Sequence, residues 1–232
     1  MKTKKSNSRR QFVSSLTASA ALAGIAMIPN TLTAEGDRLP VQANGAQTGS
    51  DLDAAIKAIG QKEYPVAYDI SQANPWGIIW SNVYYLTNNE TGTEPKALGV
   101  LNVLRHHGII FAFNDQTILK YKLGEHFGFN DPATNKPTLR NPFYIGDDAV
   151  FPVPGLSGIK GLQGNGALFC VCDMARKVNA QFIAQKMSLK TEDVYADLVK
   201  GTLPGILSAP SGVWALGRLA NSSIAYIDAS VG

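Results

Sequence analysis

The sequence of 232 residues has only two cysteines and three histidines, so few side chains can serve as nucleophiles, metal ligands or proton carriers. Cys170 and Cys172 are one residue apart, which confines thiol chemistry to one short span. His106 and His107 are adjacent, and His126 stands in no spacing with them that is typical of a metal site. The sequence therefore offers one place for cysteine chemistry and no complete metal signature.

An apolar run long enough to cross a bilayer is also lacking after residue 34, since such a span needs about 20 residues. Residues 1–34 hold five basic and no acidic side chains, which leaves 16 basic and 18 acidic ones in the rest of the chain. A nucleic acid partner or stable membrane insertion is therefore not expected once that segment is removed. There is no internal repeat.

A phosphate-binding loop is absent as well, so no cofactor is expected. The glycines between Gly158 and Gly166 come before a predicted strand, whereas a phosphate-binding glycine loop follows a strand and opens a helix. These glycines are interpreted as turns.

The first 34 residues have the pattern of an export signal. Ser8 to Val13 reads SRRQFV, which resembles the twin-arginine export motif, and an uncharged apolar segment follows from Ser14 to Ile28. A membrane-anchoring start is the alternative, although the apolar segment is short for a span. We expect a periplasmic or secreted protein, a mature start between residues 34 and 47, and a disordered polar leader over residues 35–50.

From residue 51 onward, strand-like and helix-like patterns alternate, which predicts a parallel or mostly parallel sheet between helices. The predicted strands are Pro65–Ile70, Ala97–Leu104, Ala167–Cys172, Pro204–Ala209 and Ile224–Asp228. The predicted helices are Asp51–Ile59, one opened by Asn74 and Pro75, Ile109–Leu123, Leu156–Gln163, Met174–Met187, Thr191–Lys200 with Thr191 as N-cap, and Ser211–Asn221.

Residues 124–155 contain five prolines and few periodic apolar residues, which predicts a long irregular segment. Connections of this length are usually functional or mobile. We expect this proline-rich segment to pack over or beside the site, or against a neighbouring subunit.

The two cysteines end a buried strand, and a helix follows them at once. The carboxyl edge of a parallel sheet is where ligands bind, and a helix start favours a thiolate over a thiol. Asp173 opposes this, because a nearby carboxylate disfavours a thiolate. Other interpretations of the pair stay open. The cysteines could be small buried hydrophobic residues, they could form a strained disulfide, since their Cα atoms would be roughly 6.5–7 Å apart, or they could bind Cu(I) or zinc.

Further polar candidates stand at the same predicted edge. His106 and His107 end the second strand, and since neighbours on a strand point to opposite faces, at most one is expected to reach the site. Arg105 could hold an anion with its planar fork, and Ser211 and Gly212 open a helix with free amides. The ordinary alternatives are a helix cap at Ser211 and an ion pair at Arg105.

Four segments resemble the DsrE-like family of sulfur-relay proteins, and most of all its exported, twin-arginine-bearing branch. They are Gly166–Cys172 (GALFCVC), Leu203–Ile206 (LPGI), Ser208–Val213 (SAPSGV) and Ile224–Ile227 (IAYI). The resemblance covers roughly residues 65–228 and is clearest in the last third. It implies a three-layer α/β/α sandwich around a five-stranded, mostly parallel sheet, assembled as trimers or hexamers, with the proline-rich segment as an insertion in a single domain over residues 51–232.

In relay members of that family, the seventh residue of the glycine-led strand is a cysteine that carries a persulfide between partner proteins. Counting from Gly166, this position is Cys172, whereas Cys170 has no counterpart. The resemblance thus implies that Cys172 holds sulfane sulfur taken from a small sulfur compound or a relay partner. The alternatives are a non-catalytic ligand-binding or assembly module of the same fold, and a thiol- or metal-binding protein.

Overall fold

A computed structural model describes residues 49–230 of the chain. The predicted export signal and the leader up to residue 48 lie outside the described residues. The central feature is a sheet of five parallel strands in the order β6-β5-β2-β1-β7, and a separate antiparallel pair joins β3 to β4. The strands are β1 (Tyr64–Ile70), β2 (Leu98–Leu104), β3 (Asn130–Asp131), β4 (Lys136–Pro137), β5 (Leu168–Cys172), β6 (Ile206–Ala209) and β7 (Ala225–Asp228).

Nine α-helices accompany the strands in the described part of the chain. They are α1 (Gly49–Gly60), α2 (Trp76–Glu90), α3 (Asp115–Lys120), α4 (Leu123–Phe127), α5 (Pro142–Ile145), α6 (Ile159–Gly164), α7 (Asp173–Met187), α8 (Thr191–Lys200) and α9 (Gly212–Leu219). Short 3-10 helices lie at Pro95–Ala97, His106–Ala112 and Ala220–Ser222. Among residues 49–230, no helix combines the length and the apolar character that crossing a membrane requires.

Helices cover both faces of the sheet, which confirms the predicted three-layer α/β/α class. On one face, α1 and α9 pack on Ala67, Leu101 and Val103. On the other, α2, α7 and α8 pack on residues that alternate with these, such as Val66 and Val100. All seven residues of β2 are buried, as is typical of a central parallel strand covered on both sides.

Most element ends lie within two residues of the predicted ones, and the helix Thr191–Lys200 has the predicted bounds, although its N-cap is Lys190 rather than Thr191. Helix α1 begins at Gly49, two residues inside the predicted leader. Gly49 and Ser50 belong to the first turn of this helix, whose apolar face buries Leu52, Ile56 and Ile59.

The single helix predicted over Ile109–Leu123 is wrong. The chain forms a 3-10 helix at His106–Ala112, extends at Phe113, and restarts as α3 where the Asn114 side chain accepts a hydrogen bond from the Thr117 amide. The 3-10 helix begins with its backbone close to the end of β1: a Cβ on Gly108 would lie 2.1 Å from the Ile70 carbonyl oxygen. Apolar periodicity alone did not indicate this interruption.

The proline-rich segment is more ordered than its composition predicted. It carries β3, β4 and α5, and it supplies Phe129, Phe143 and Phe151 to an edge-to-face aromatic cluster with Phe111. The Asn141 amide donates to the carbonyl oxygens of Phe111 and Phe113. The segment is thus packed into the core on the α2 and α7 side of the sheet.

Replacing Phe143 by alanine should destabilise the whole protein, because the ring is fully buried in that cluster. The expected loss in the free energy of unfolding is about 3–5 kcal/mol, measured by urea titration. Leu139→Ala is the matched control, because Leu139 lies in the same segment but is 59% exposed, and it should change stability by less than about 0.5 kcal/mol. A Phe143→Ala variant as stable as the Leu139→Ala variant would contradict the packing of this segment in the core.

Candidate functional site

A cavity of about 230 Å³ opens at the carboxyl edge of the sheet, beside the ends of β2 and β5. Five of the seven predicted site residues line it: Arg105, His106, Cys172, Ser211 and Gly212. The other lining residues are Met174, Ala175, Val178, Asn179 and Val213. The first turns of α7 and α9 therefore meet at one cavity, and Cys170 and His107 lie outside its lining.

Cys172 is both the last residue of β5 and the N-cap of α7. Its Sγ atom accepts a hydrogen bond from the Ala175 amide at 3.2 Å, in the place where a serine or aspartate oxygen usually caps a helix. The residue is 7% exposed. The positive end of a 15-residue helix thus faces this sulfur atom, a position in which negative charge is stabilised.

Cys170 has a different environment from Cys172. It is fully buried among the residues under α1 and α9, whereas Cys172 belongs to the apolar cluster on the other face. Residues two apart on a regular strand face the same side, but Cys172 is also the N-cap of α7, and the two cysteines belong to different clusters. Burial, together with the nearby Cys172, raises the pKa of the Cys170 thiol, so Cys170 stays protonated.

Neither the disulfide hypothesis nor the metal-site hypothesis for the two cysteines is supported by the described part of the structure. Both cysteines are free thiols. Within residues 49–230 there is no group of three or more histidine, cysteine or acidic side chains that could hold a metal ion.

The carboxylate of Asp173, predicted to oppose an anionic sulfur, is directed into a set of donors. It accepts hydrogen bonds from Arg176, Lys177 and Tyr195, each at 2.8 Å. Burial by itself would raise the pKa of Asp173, but the bonds from Lys177 and Tyr195 and the charge of Arg176 outweigh it and lower the pKa. Two cations balance this acid, so its charge does not stand alone beside Cys172.

Arg105 is held by a buried acid. Its Nε and Nη2 atoms donate to the two carboxylate oxygens of Asp69 at 2.7 and 2.8 Å, and Asp69 is 1% exposed. The hydroxyl of Tyr226 donates to the same carboxylate at 2.9 Å. The predicted ion pair therefore occupies the Nε and Nη2 edge of the Arg105 guanidinium. Only the outer edge of the guanidinium remains for a ligand.

The start of α9 is packed against Arg105. A Cβ on Gly212 would lie 2.5 Å from the Arg105 Cβ, so only glycine permits this approach. The Ser211 Oγ atom accepts a hydrogen bond from the Trp214 amide at 3.1 Å. Ser211 is thus the N-cap of α9, as the ordinary alternative predicted. It also lines the cavity, because the first turn of α9 lies there.

All three histidines gather beside the cavity. The strand ends at Leu104, so His106 and His107 do not diverge as predicted, and their rings stack with centroids 4.2 Å apart. The His107 ring packs on Phe127, and His126 Nε2 lies 2.8 Å from the Asn179 Oδ1 atom. Sequence spacing gave no indication of His126 here, because the proline-rich segment brings it from a distance.

These surroundings lower the pKa of two of the imidazoles. Burial is the main cause for His107, and the charges of His106 and His126 add to it. For His126, burial lowers the pKa, the Asn179 bond partly opposes this, and the Lys186 charge adds to the lowering. The neutral forms are therefore favoured in the folded protein.

Neither a protein-family model, nor a curated protein, nor a solved structure matches the chain. A fold of this class hosts many unrelated activities. The functional argument consequently rests on the cavity and the chemistry of its lining.

His126→Gln should weaken the pH dependence of stability. The unfolded chain binds protons on these imidazoles at a higher pH than the folded chain does, so the free energy of unfolding falls as the pH drops below about 6.5. Urea titrations between pH 7 and pH 5 should show a shallower fall in the variant than in the wild-type protein. Identical pH slopes for the wild-type and His126→Gln proteins would contradict this explanation.

Lys186→Gln should raise the titration midpoint of His126 measured by NMR, because the Lys186 charge lowers the pKa of His126.

Proposed function

We propose that the cavity binds a small sulfur compound and that Cys172 accepts a sulfane sulfur atom from it as a persulfide. One observation carries the proposal: Cys172 lines the cavity, and its Sγ atom accepts a hydrogen bond from the Ala175 amide at the start of α7. Cys170, sealed in the core under α1 and α9, is the contrasting thiol.

The transfer is balanced without an added oxidant. The Cys172 sulfur attacks the outer sulfur of a donor R–S–SH, and a new S–S bond forms as the donor's S–S bond breaks. The bonding electron pair leaves with the donor's inner sulfur, which takes up a proton as R–SH. The thiol group of Cys172 thereby becomes –S–SH.

The other lining residues have roles suited to this step. The Ala175 amide and the α7 dipole stabilise the anionic persulfide on Cys172. The outer edge of the Arg105 guanidinium and the first turn of α9 offer N–H groups that donate hydrogen bonds to the sulfur atoms of the donor. His106, in the same lining, takes the proton from the Cys172 thiol and passes it to the leaving thiol.

The resemblance to the DsrE-like family supports a wider proposal. In it the protein is exported by the twin-arginine route, acts in the periplasm or outside the cell, and assembles as a trimer or hexamer. The sulfur on Cys172 then passes to a relay partner or a second small thiol.

A second candidate function is ligand binding without covalent transfer. It is favoured by the pairing of Arg105 with Asp69, which leaves no unpaired charged side chain among the described residues that line the cavity. In that case the cavity holds a small molecule and Cys172 forms part of its wall.

Intact-mass measurement after exposure to a small persulfide distinguishes the two candidates. The wild-type protein should gain the mass of one sulfur atom, because Cys172 is reachable through the cavity. Cys172→Ser should gain none, and Cys170→Ala should gain one as the wild type does. The added mass should disappear on treatment with a reductant.

Two results would overturn persulfide formation on Cys172: an unmodified wild-type protein, or equal modification of Cys172→Ser. Binding of the donor without any mass change in the wild-type protein would support the non-covalent candidate. Circular dichroism of each variant confirms that it is folded before its mass is measured.

A further inference from the structure

The walls of the cavity are apolar and partly open to solvent. Met174 and Val178 are four residues apart on α7 and therefore lie on one face of the helix. Val213 belongs to the first turn of α9. The three side chains are 48%, 38% and 68% exposed, and they line the cavity around Cys172. Apolar side chains that share one recess and remain exposed leave apolar surface for a ligand to cover.

The charge of the lining is nearly balanced. Arg105 is the one permanently charged residue among the ten described residues that line the cavity. Its charge is compensated by the buried carboxylate of Asp69 at 2.7 Å. A dianion such as thiosulfate would therefore find no uncompensated cation here, and it would lose hydration against apolar walls.

The size of the cavity limits the part of a ligand that it can enclose. Its volume is about 230 Å³, and a water-sized group takes roughly 30 Å³ in a liquid. The cavity thus encloses about eight non-hydrogen atoms. That is enough for the two sulfur atoms of a persulfide and an arm of about six carbons.

We propose that the sulfur donor is a small organic persulfide whose uncharged apolar arm lies against Met174, Val178 and Val213, and that inorganic thiosulfate is a poor donor. This inference rests on the proposed function and adds the class of substrate. The arm orients the outer sulfur towards Cys172, and it leaves the cavity as the free thiol after transfer.

A series of donors tests the role of the arm. Methyl, propyl and hexyl persulfides, and thiosulfate, are each mixed with the wild-type protein at equal concentration, and the gain of one sulfur on Cys172 is followed by intact mass. Burial of one methylene corresponds to up to about fourfold in affinity. Because the walls are partly open, we expect the hexyl donor to react at least about tenfold faster than the methyl donor, with thiosulfate slowest.

A pair of valine variants locates the effect. Val178→Ser should slow transfer from hexyl persulfide about fivefold, because it replaces an apolar side chain that contacts the arm. The rate with methyl persulfide should stay within about twofold of the wild-type rate. Val83→Ser is the matched control: Val83 lies on α2, is 43% exposed, and is not among the cavity residues. It should change neither rate.

The outcomes separate this inference from the proposed function. If Cys172 gains sulfur at equal rates from all donors, faster from thiosulfate, or equally in the two valine variants, the apolar-arm inference is overturned while persulfide formation stands. If no donor adds sulfur to Cys172, both fall.

Discussion

The buried carboxylate of Asp69 is the constraint on which the carboxyl edge of the sheet depends. A charge removed from water must be paired and hydrogen-bonded, and Asp69 meets this with Arg105 and Tyr226. Arg105 follows β2 and Tyr226 lies within β7, so the carboxylate on β1 links three adjacent strands. Arg105 in turn packs against Gly212, and this contact brings the start of α9 to the cavity.

The layered fold was predictable because it follows from local patterns. Strands buried on both faces, such as β2, are nearly continuous apolar runs, and helix α8 has an acidic first turn and a basic last turn. The placement of Cys172 at a strand end followed from the same patterns. Where two signals conflicted, as at Phe113 and Asn114, side-chain capping interrupted a helix that periodicity had predicted.

The interactions that make the cavity were not predictable, since they join residues far apart in sequence. Asp69 and Arg105 are 36 residues apart, and His126 and Asn179 are 53 apart. No spacing rule connects such pairs, and their contact depends on strand order and on the path of the proline-rich segment. The balance of charge at Asp173 was likewise misjudged, because Tyr195 reaches it from the next helix.

The separation of the two thiols also determines what oxidation can do to this protein. An oxidant that reaches Cys172 through the cavity generates a sulfenic acid, and the usual next reaction is attack by a neighbouring thiol. Cys170 is fully buried in the opposite apolar cluster and stays protonated, so it is a poor resolving partner. We therefore expect a sulfenic acid on Cys172 to react with a thiol from solution and to give a mixed disulfide that a small reductant reverses.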